Sequence, residues 1–407
     1  MNPPVSPTLK RVLAGQLCTG CGLCAGLSDG AIAMETVEPG YSRPEQSRAI
    51  SAAAEQAIAE ACPGAKVAGW EGQAPHMHWS WGPWFRTMTG HATDPEVRFA
   101  GSSGGALSGL LIHALDQGLI HSVLHIEADP EKPTRNRLCW SRDASAVIAN
   151  AGSRYSASAP LEDINAALDS GERFAFVGKP CDVSALRQLA TVDPRVDRQV
   201  PLMLSFFCGG MPSHAGADRI IRAMDMEPSQ VVRFRYRGNG WPGLTIAEDA
   251  EGRQATMRYE DSWGKHLSRE VQFRCKICPD AVGGVADIAC ADAWYGGEAG
   301  YPSFEEEDGR SLIMSRTGRG NDFLSSAMEA GAIEAAPLAI DEIDLMQPAQ
   351  ARRKRVVRAR TAACTVLGKP VPVMKGLRIS EAAGTSPVAE QLKNFSGTMW
   401  RIIKGQR

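Results

Sequence analysis

The apolar positions of this chain change rhythm twice. From about residue 90 to residue 236 they switch back and forth between helical and extended spacing. Over 106–117, Leu107, Leu110, Leu111, Ala114 and Leu115 fall on one helical face, and Gly118 supplies a natural stop. The following segments read as a strand over 122–126, a helix over 161–168 ended by Gly171, and a strand over 173–177. A helix over 182–190, a buried apolar strand over 200–207, a helix over 214–224 and a strand over 231–236 continue the series. Strands separated by helices predict βαβ units and a largely parallel sheet. A hairpin turning near Ala250, Glu251 and Gly252 departs from that alternation, so the expected fold class is α/β with a mixed sheet.

Outside this stretch the rhythm is lost. Residues 1–75 are rich in Gly and Ala and short of long apolar strands, with one Ala- and Glu-rich helix over 51–61. A bound cofactor would substitute there for the missing core. Trp70, Trp79, Trp81 and Trp84 crowd the connector that follows. Packing of that connector onto the next domain is the plain reading, and a stacking surface for an aromatic ligand the sharper one. Beyond about residue 335 lies a run of cations, Arg352, Arg353, Lys354 and Arg355, with Arg358 and Arg360 close behind. Such a run reads as a solvated helix face or as a docking patch for an acidic electron-transfer partner. Three units are expected: a cluster segment over 1–75, an α/β domain over 76–335 and a helical, basic extension over 336–407.

Composition narrows the class. With 43% hydrophobic and 22% charged residues and a formal net charge of −2, the chain has the make-up of a soluble globular protein and lacks the field of a nucleic-acid binder. No apolar run suits a signal peptide or a membrane span, so a cytoplasmic protein is expected. Eleven cysteines in such a compartment point to metal or redox chemistry rather than disulfides.

The first chemical signal is Cys18, Cys21 and Cys24 at C-x-x-C-x-x-C spacing. This lets a backbone wrap an iron–sulfur cubane with each thiolate on its own iron. Cys62, before Pro63, is the kind of fourth ligand that ferredoxin-like segments use. Cys24 is followed by Ala25 and Gly26, and the cysteine run is not repeated, so the segment suits one cluster. A second set comprises Cys181 and Cys208, each at the end of an expected strand beside glycine, and the pair Cys275 and Cys278. If the sheet is parallel, Cys181 and Cys208 emerge at its carboxyl edge, where open α/β sheets bind ligands. Spacing alone leaves a second cubane, a structural zinc and four unrelated buried thiols open. Cys139, Cys290 and Cys364 read as packed thiols.

A glycine loop, Ser102, Ser103, Gly104 and Gly105 after Gly101, precedes the helix over 106–117. It reads as a phosphate-binding helix start or as a plain cap. Ser153, Arg154 and Tyr155 after Gly152 add a cation and a ring, or simply pack as a loop.

Taken in order, these strings resemble the coenzyme F420 hydrogenase/dehydrogenase beta-subunit family. The resemblance rests on Cys18 to Cys24, Gly101 to Gly105, Gly152 to Tyr155, Val177 to Cys181 with Lys179, Cys208-Gly209-Gly210 and Phe234-Arg235. It continues through Cys275 to Asp280, Ala286-Asp287-Ile288 and Asp292-Ala293-Trp294. The resemblance implies FAD and one or two 4Fe–4S clusters, with the flavin on the glycine loop and the 152–155 segment. It implies that Cys181, Cys208, Cys275 and Cys278 hold a cluster nearby. Some members reduce the deazaflavin F420. Others reduce tetrapyrroles, as the divinyl chlorophyllide vinyl reductases and the hydroxymethyl chlorophyll reductase do.

The expected function is therefore an oxidoreductase. Electrons would come from a ferredoxin or a partner subunit, pass through the clusters to FAD, and leave to a small organic acceptor. By residue type, His266, Asp292 and Tyr155 are candidate acids at the acceptor. An electron-transfer subunit without its own substrate and a zinc-stabilised α/β protein are the alternatives.

Overall fold

A computed structural model describes residues 5–70, 74–296, 303 and 305–405. Its centre is an eight-stranded mixed sheet made of β1 (Arg86–Ala92), β2 (Ser122–Ala128), β3 (Asn136–Ser141), β4 (Phe174–Gly178), β5 (Leu202–Phe206), β6 (Ile288–Asp292), β7 (Ser311–Ser315) and β8 (Ile333–Pro337). The spatial order is β8-β1-β7-β6-β5-β4-β2-β3. β2, β4, β5 and β6 run parallel, whereas β3 on one side and β7, β1 and β8 on the other pair antiparallel.

The central strands are apolar at successive positions because both faces are covered. Ala175, Leu202, Leu204 and Ile288 face one layer, with Leu110 of α3 (Ala106–Asp116) and Leu324 of α6 (Gly318–Glu329). Phe174, Phe176 and Met203 face the other, with Val183 and Leu186 of α4 (Pro180–Leu189). The period of two along each strand sorts the residues between the layers.

The mixed sheet agrees with the sequence pattern, but its cause differs. The 250–252 hairpin lies in a separate three-stranded antiparallel sheet, Val231–Arg235, Leu244–Asp249 and Gln254–Arg258. The strand expected over 231–236 belongs there too, packed under α5 (His214–Ala223) through Ile220, Ile221 and Phe234.

The N-terminal segment carries α1 (Pro7–Ala14), the hairpin Ile32–Val37 and Tyr41–Gln46, and α2 (Ala52–Ala61). Ser51 caps α2 by accepting from the Ala54 amide at 3.1 Å, an arrangement worth about 1 kcal/mol. Cys21, Leu23 and Ala61 complete the α4 layer, so this segment is built onto the α/β core. The C-terminal helices α7 (Pro348–Val366) and α8 (Val388–Ile403) lie beside it. Between them, the strand Val373–Lys375 pairs in parallel with Lys66–Ala68. Among the described residues no helix is long and apolar enough to cross a membrane.

Candidate functional site: two neighbouring thiol sets

The first set forms where the turn after α1 meets the end of α2. Gly20 and Gly22 take φ of +79° and +84°, and a Cβ on Gly22 would stand 2.8 Å from the Glu162 amide. Glycine is therefore required for the chain to wrap between cysteines. Cys62 is the C-cap of α2. Amides of Gly20, Leu23 and Ala25 face Cys18, Cys21 and Cys24 in turn, and those of Gly64 and Ala65 face Cys62. Burial first, then the neighbouring thiols, pushes the thiol pKa values upward, that of Cys62 to about 11. Cys24 feels Cys18, Cys21 and Cys62, so the four thiols share one buried neighbourhood, although among the described residues no three of them are already gathered around a metal position.

The second set lies at the carboxyl edge of the parallel strands. Cys181 sits in the first turn of α4 directly after β4, and Cys208 follows β5. Cys275 and Cys278 come from the short turn beginning at Phe273. The four thiols line one pocket with Thr19, Lys179, Gln272, Asp280 and Arg353. They stand around a space rather than meeting at a point. Gly210 N–H donates to Cys208 Sγ and Met211 N–H to Cys275 Sγ, each at 3.3 Å. The Gln272 amide nitrogen adds a donor to Cys275 Sγ at 3.7 Å. Burial pushes the Cys208 thiol up to about 12, and Cys181 also rises.

The two sets share walls. The Gln272 amide reaches the Thr19 carbonyl at 3.4 Å while its oxygen accepts from Arg43 at 2.9 Å, and Arg43 in turn bonds Cys18. The Asp182 carboxylate acts on both Cys21 and Cys181. Thr19 Oγ1 is buried without a partner at this junction.

Sequence reasoning missed these linking groups. Gln272, three residues before Cys275, carried no distinguishing pattern. Arg353 lay in the basic run, which is divided in the fold. Arg353 donates to the Cys208 carbonyl at 3.1 Å and to the Gly209 carbonyl, and Arg360 to the Lys276 carbonyl at 2.6 Å. Lys354 is buried, while Arg352 and Arg358 face solvent. Two of the run's six cations, Arg353 and Arg360, thus support the second thiol set.

Lys179, within the Val177 to Cys181 string and one of the expected cofactor-binding residues, lines the thiol pocket. Its ammonium pairs with Asp182 at 2.7 Å and donates to Ser158 Oγ at 3.3 Å. Burial opposes its charge, yet Asp182 and Cys181 outweigh burial and push its pKa up.

The glycine loop and the 152–155 segment do meet, through a 2.6 Å bond between the Ser102 and Ser153 hydroxyls. Much of the loop serves the sheet. Ser103 Oγ stands within hydrogen-bond reach of a backbone carbonyl of β6 and of that of Arg310, which share its one proton, and the Gly104 amide donates to Ser311 Oγ at 2.9 Å. A Cβ on Gly104 would lie 2.7 Å from the Gly90 oxygen. Arg154 spends its guanidinium on Asn136 and on the carbonyls of Pro133, Arg135 and Phe234. What remains for an anion is the start of α3 at Gly105, φ +68°, which no side chain caps. For a flavin, this backbone and the serine pair fit, whereas the Arg154 guanidinium is engaged by protein oxygens.

Two of the three candidate acids, Asp292 and Tyr155, share one neighbourhood through Arg237 and Tyr259. Asp292, at the end of β6, is held by both arms of Arg237 at 2.8 and 2.7 Å and by Trp241 Nε1 at 2.8 Å. Tyr155 packs against Trp263 and Tyr236 and bonds Tyr259, whose ring lies under Arg237. His266 lies on a turn of the small-sheet module, its pKa lowered by burial and by Arg219 and Arg269.

The fold and this edge define an α/β protein whose strand ends carry a cysteine-lined cavity beside a second cysteine cradle. Residues 87–164 match the family described as "Coenzyme F420 hydrogenase/dehydrogenase, beta subunit N-term", and residues 171–340 match its C-terminal counterpart. The coenzyme F420 hydrogenase subunit beta of Methanothermobacter thermautotrophicus is 25% identical over 303 residues, covering 72% of this chain and 99% of that protein. The F420-dependent formate dehydrogenase subunit beta of Methanocaldococcus jannaschii is 26% identical over 229 residues, 54% of this chain and 57% of that protein. A chain of the F420-reducing NiFe hydrogenase complex from Methanosarcina barkeri shares the fold with a TM-score of 0.56 at 20% identity. That match covers 72% of this chain and 97% of the other. The chain belongs to the coenzyme F420 hydrogenase/dehydrogenase beta-subunit family.

Proposed function

We propose that this chain is an iron–sulfur flavoprotein that relays electrons between a ferredoxin-like donor or partner subunit and a small organic acceptor. Cys18, Cys21, Cys24 and Cys62 would hold one 4Fe–4S cluster, and Cys181, Cys208, Cys275 and Cys278 a second. FAD would lie at the start of α3, with Ser102 and Ser153 beside it. When bound, the clusters carry single electrons and the flavin pairs them for transfer as a hydride to a deazaflavin such as F420 or a tetrapyrrole-like ring.

The observation that carries this reading is the arrangement of eight thiols as two adjoining sets of four, each faced by backbone N–H groups. Amides directed at sulfur favour thiolate and tune a cluster's potential. Thiols with pKa values raised by burial become ligands only when a strong Lewis acid displaces their protons. Four thiols around a cavity suit a cubane, each sulfur taking its own iron, better than a single ion bound at the centre. The Arg43–Gln272 bridge and Asp182 fix the spacing between the sets.

The test is anaerobic purification followed by iron, sulfide, zinc and flavin analysis with the visible spectrum. About eight irons per chain and a bound flavin are expected. A colourless protein containing zinc and no iron overturns the reading. A non-catalytic relay is favoured by one observation, the exposed Val388, Leu392, Trp400 and Ile403 of α8. Turnover of F420 or a tetrapyrrole by the lone chain with a chemical reductant separates the two.

A further inference from the structure

The amphipathic helix α8 is mounted with its apolar side outward. Gln391 donates to the Arg355 carbonyl at 2.8 Å, Asn394 Oδ1 accepts from Arg360 at 3.1 and 2.9 Å, and Thr398 is 1% exposed. These polar residues face α7. Val388, Leu392, Trp400 and Ile403 lie on the opposite side, 74%, 63%, 55% and 69% exposed. Their spacing of 4, 8 and 3 residues keeps them in one stripe about 22 Å long. Large apolar residues aligned in this way mark an interaction site rather than ordinary surface scatter.

Two further observations say what sits there. Ile402, the neighbour of Ile403, packs from the inward side of α8 on the group that contains Cys18, Cys62 and Ile277, so the C-terminal end of the stripe lies across the helix from the first thiol set. The helix also carries Lys393, Arg401 and Lys404 against Glu390 alone, and Glu390 is paired with Arg352 at 3.3 Å. Lys276, Arg360 and Arg401 add further positive charge nearby. An apolar stripe in a cationic rim beside a thiol cradle fits a partner with an apolar contact ringed by carboxylates. A second copy of this chain would bring the same cations against themselves.

We infer that the exposed face of α8 is the docking surface for an acidic electron-carrier protein of the ferredoxin type, seated next to the Cys18 set. This rests on the electron-relay reading above.

The test is biolayer interferometry with the full anaerobic chain and an acidic plant-type ferredoxin as probe, at low and at high salt. Leu392→Ser with Trp400→Ser, and Lys393→Glu with Lys404→Glu, alter only exposed side chains, and circular dichroism checks their folding. Binding that weakens with salt and falls about tenfold or more in each variant supports the inference. No binding at low salt, or equal binding by both variants, overturns it. Flotation with phosphatidylglycerol vesicles and sedimentation equilibrium run alongside. If the variants lose vesicle binding or self-association but keep the ferredoxin, the occupant is a membrane or a second copy and the inference fails. Binding does not need iron in this chain. An iron-free preparation that still binds ferredoxin therefore defeats the relay reading alone, and an iron-loaded one that does not bind defeats the docking surface alone.

Discussion

Lys179 Nζ lies 2.7 Å from Asp182 Oδ2 with the two side chains 8% and 1% exposed, and this pair stands between the two cysteine sets. Asp182 also accepts the Lys179 backbone N–H at 3.0 Å, which closes the first turn of α4 and aims Cys181 at the cavity. Removing one buried partner strands the charge of the other. Lys179→Met is expected to lower folding stability by about 3–5 kcal/mol, read from urea unfolding. Lys179→Met with Asp182→Asn should recover much of that loss. A single variant as stable as the wild type would show that the pair is not buried as described.

Cysteine substitutions divide the two sets. Cys62→Ser should reduce iron from about eight to about four per chain and leave flavin content unchanged, whereas Cys364→Ser should leave both unchanged. The control is demanding because Cys364 is buried in the same group as Cys18 and Cys62. Equal iron in the two variants would remove Cys62 from the first set.

The glycine loop makes a separable claim about Gly104. Its Cβ would meet two backbone atoms of the sheet, Gly90 O at 2.7 Å and Ser311 N at 2.8 Å, and neither can move aside. Gly104→Ala should therefore cost about 1–3 kcal/mol even in protein stripped of flavin. Were the glycine there only to admit a ligand, the stripped variant would unfold at the wild-type midpoint.

Stability should also fall in mild acid. Burial holds His125 at about 4, against 6.5 when exposed; its Nε2 lies 2.8 Å from Ser141 Oγ and 3.2 Å from Cys139 Sγ. Between about 6.5 and 4 the unfolded chain binds the proton and the folded chain does not, so stability drops as pH falls through that window. His214, also lowered to about 4 by burial and by Arg135 and Lys132, adds to the same slope. His125→Gln should flatten its share of the pH dependence between pH 7 and 4 while leaving the His214 share in place. A slope identical to that of the wild type would place His125 in solvent.

The parallel core was legible because strands covered on both faces read as apolar runs, and the helix between them as a one-sided face. The strand-end positions of Cys181 and Cys208 followed from that alone. The small sheet of Val231–Arg235 was not legible as separate, since a half-covered strand in either sheet shows the same alternation. Polar groups misled where their partners were distant in sequence. Arg154 looked available to a ligand, yet four backbone and side-chain oxygens claim it. The basic run looked uniform, but a helical turn carries Arg353 to the thiol cavity and Arg352 to solvent. Gln272 and Arg43 have meaning only as a pair, and 229 residues separate them.

The parallel pairing of Lys66–Ala68 with Val373–Lys375 bears on the order of assembly. On a ribosome, the chain carrying Cys18 to Cys62 emerges early, but the strand that closes over it and the helix that brings Cys364 and Ile402 emerge late. The first thiol set is therefore closed only by segments that follow it far along the chain. Any metal it takes up would have its widest entry before those segments dock.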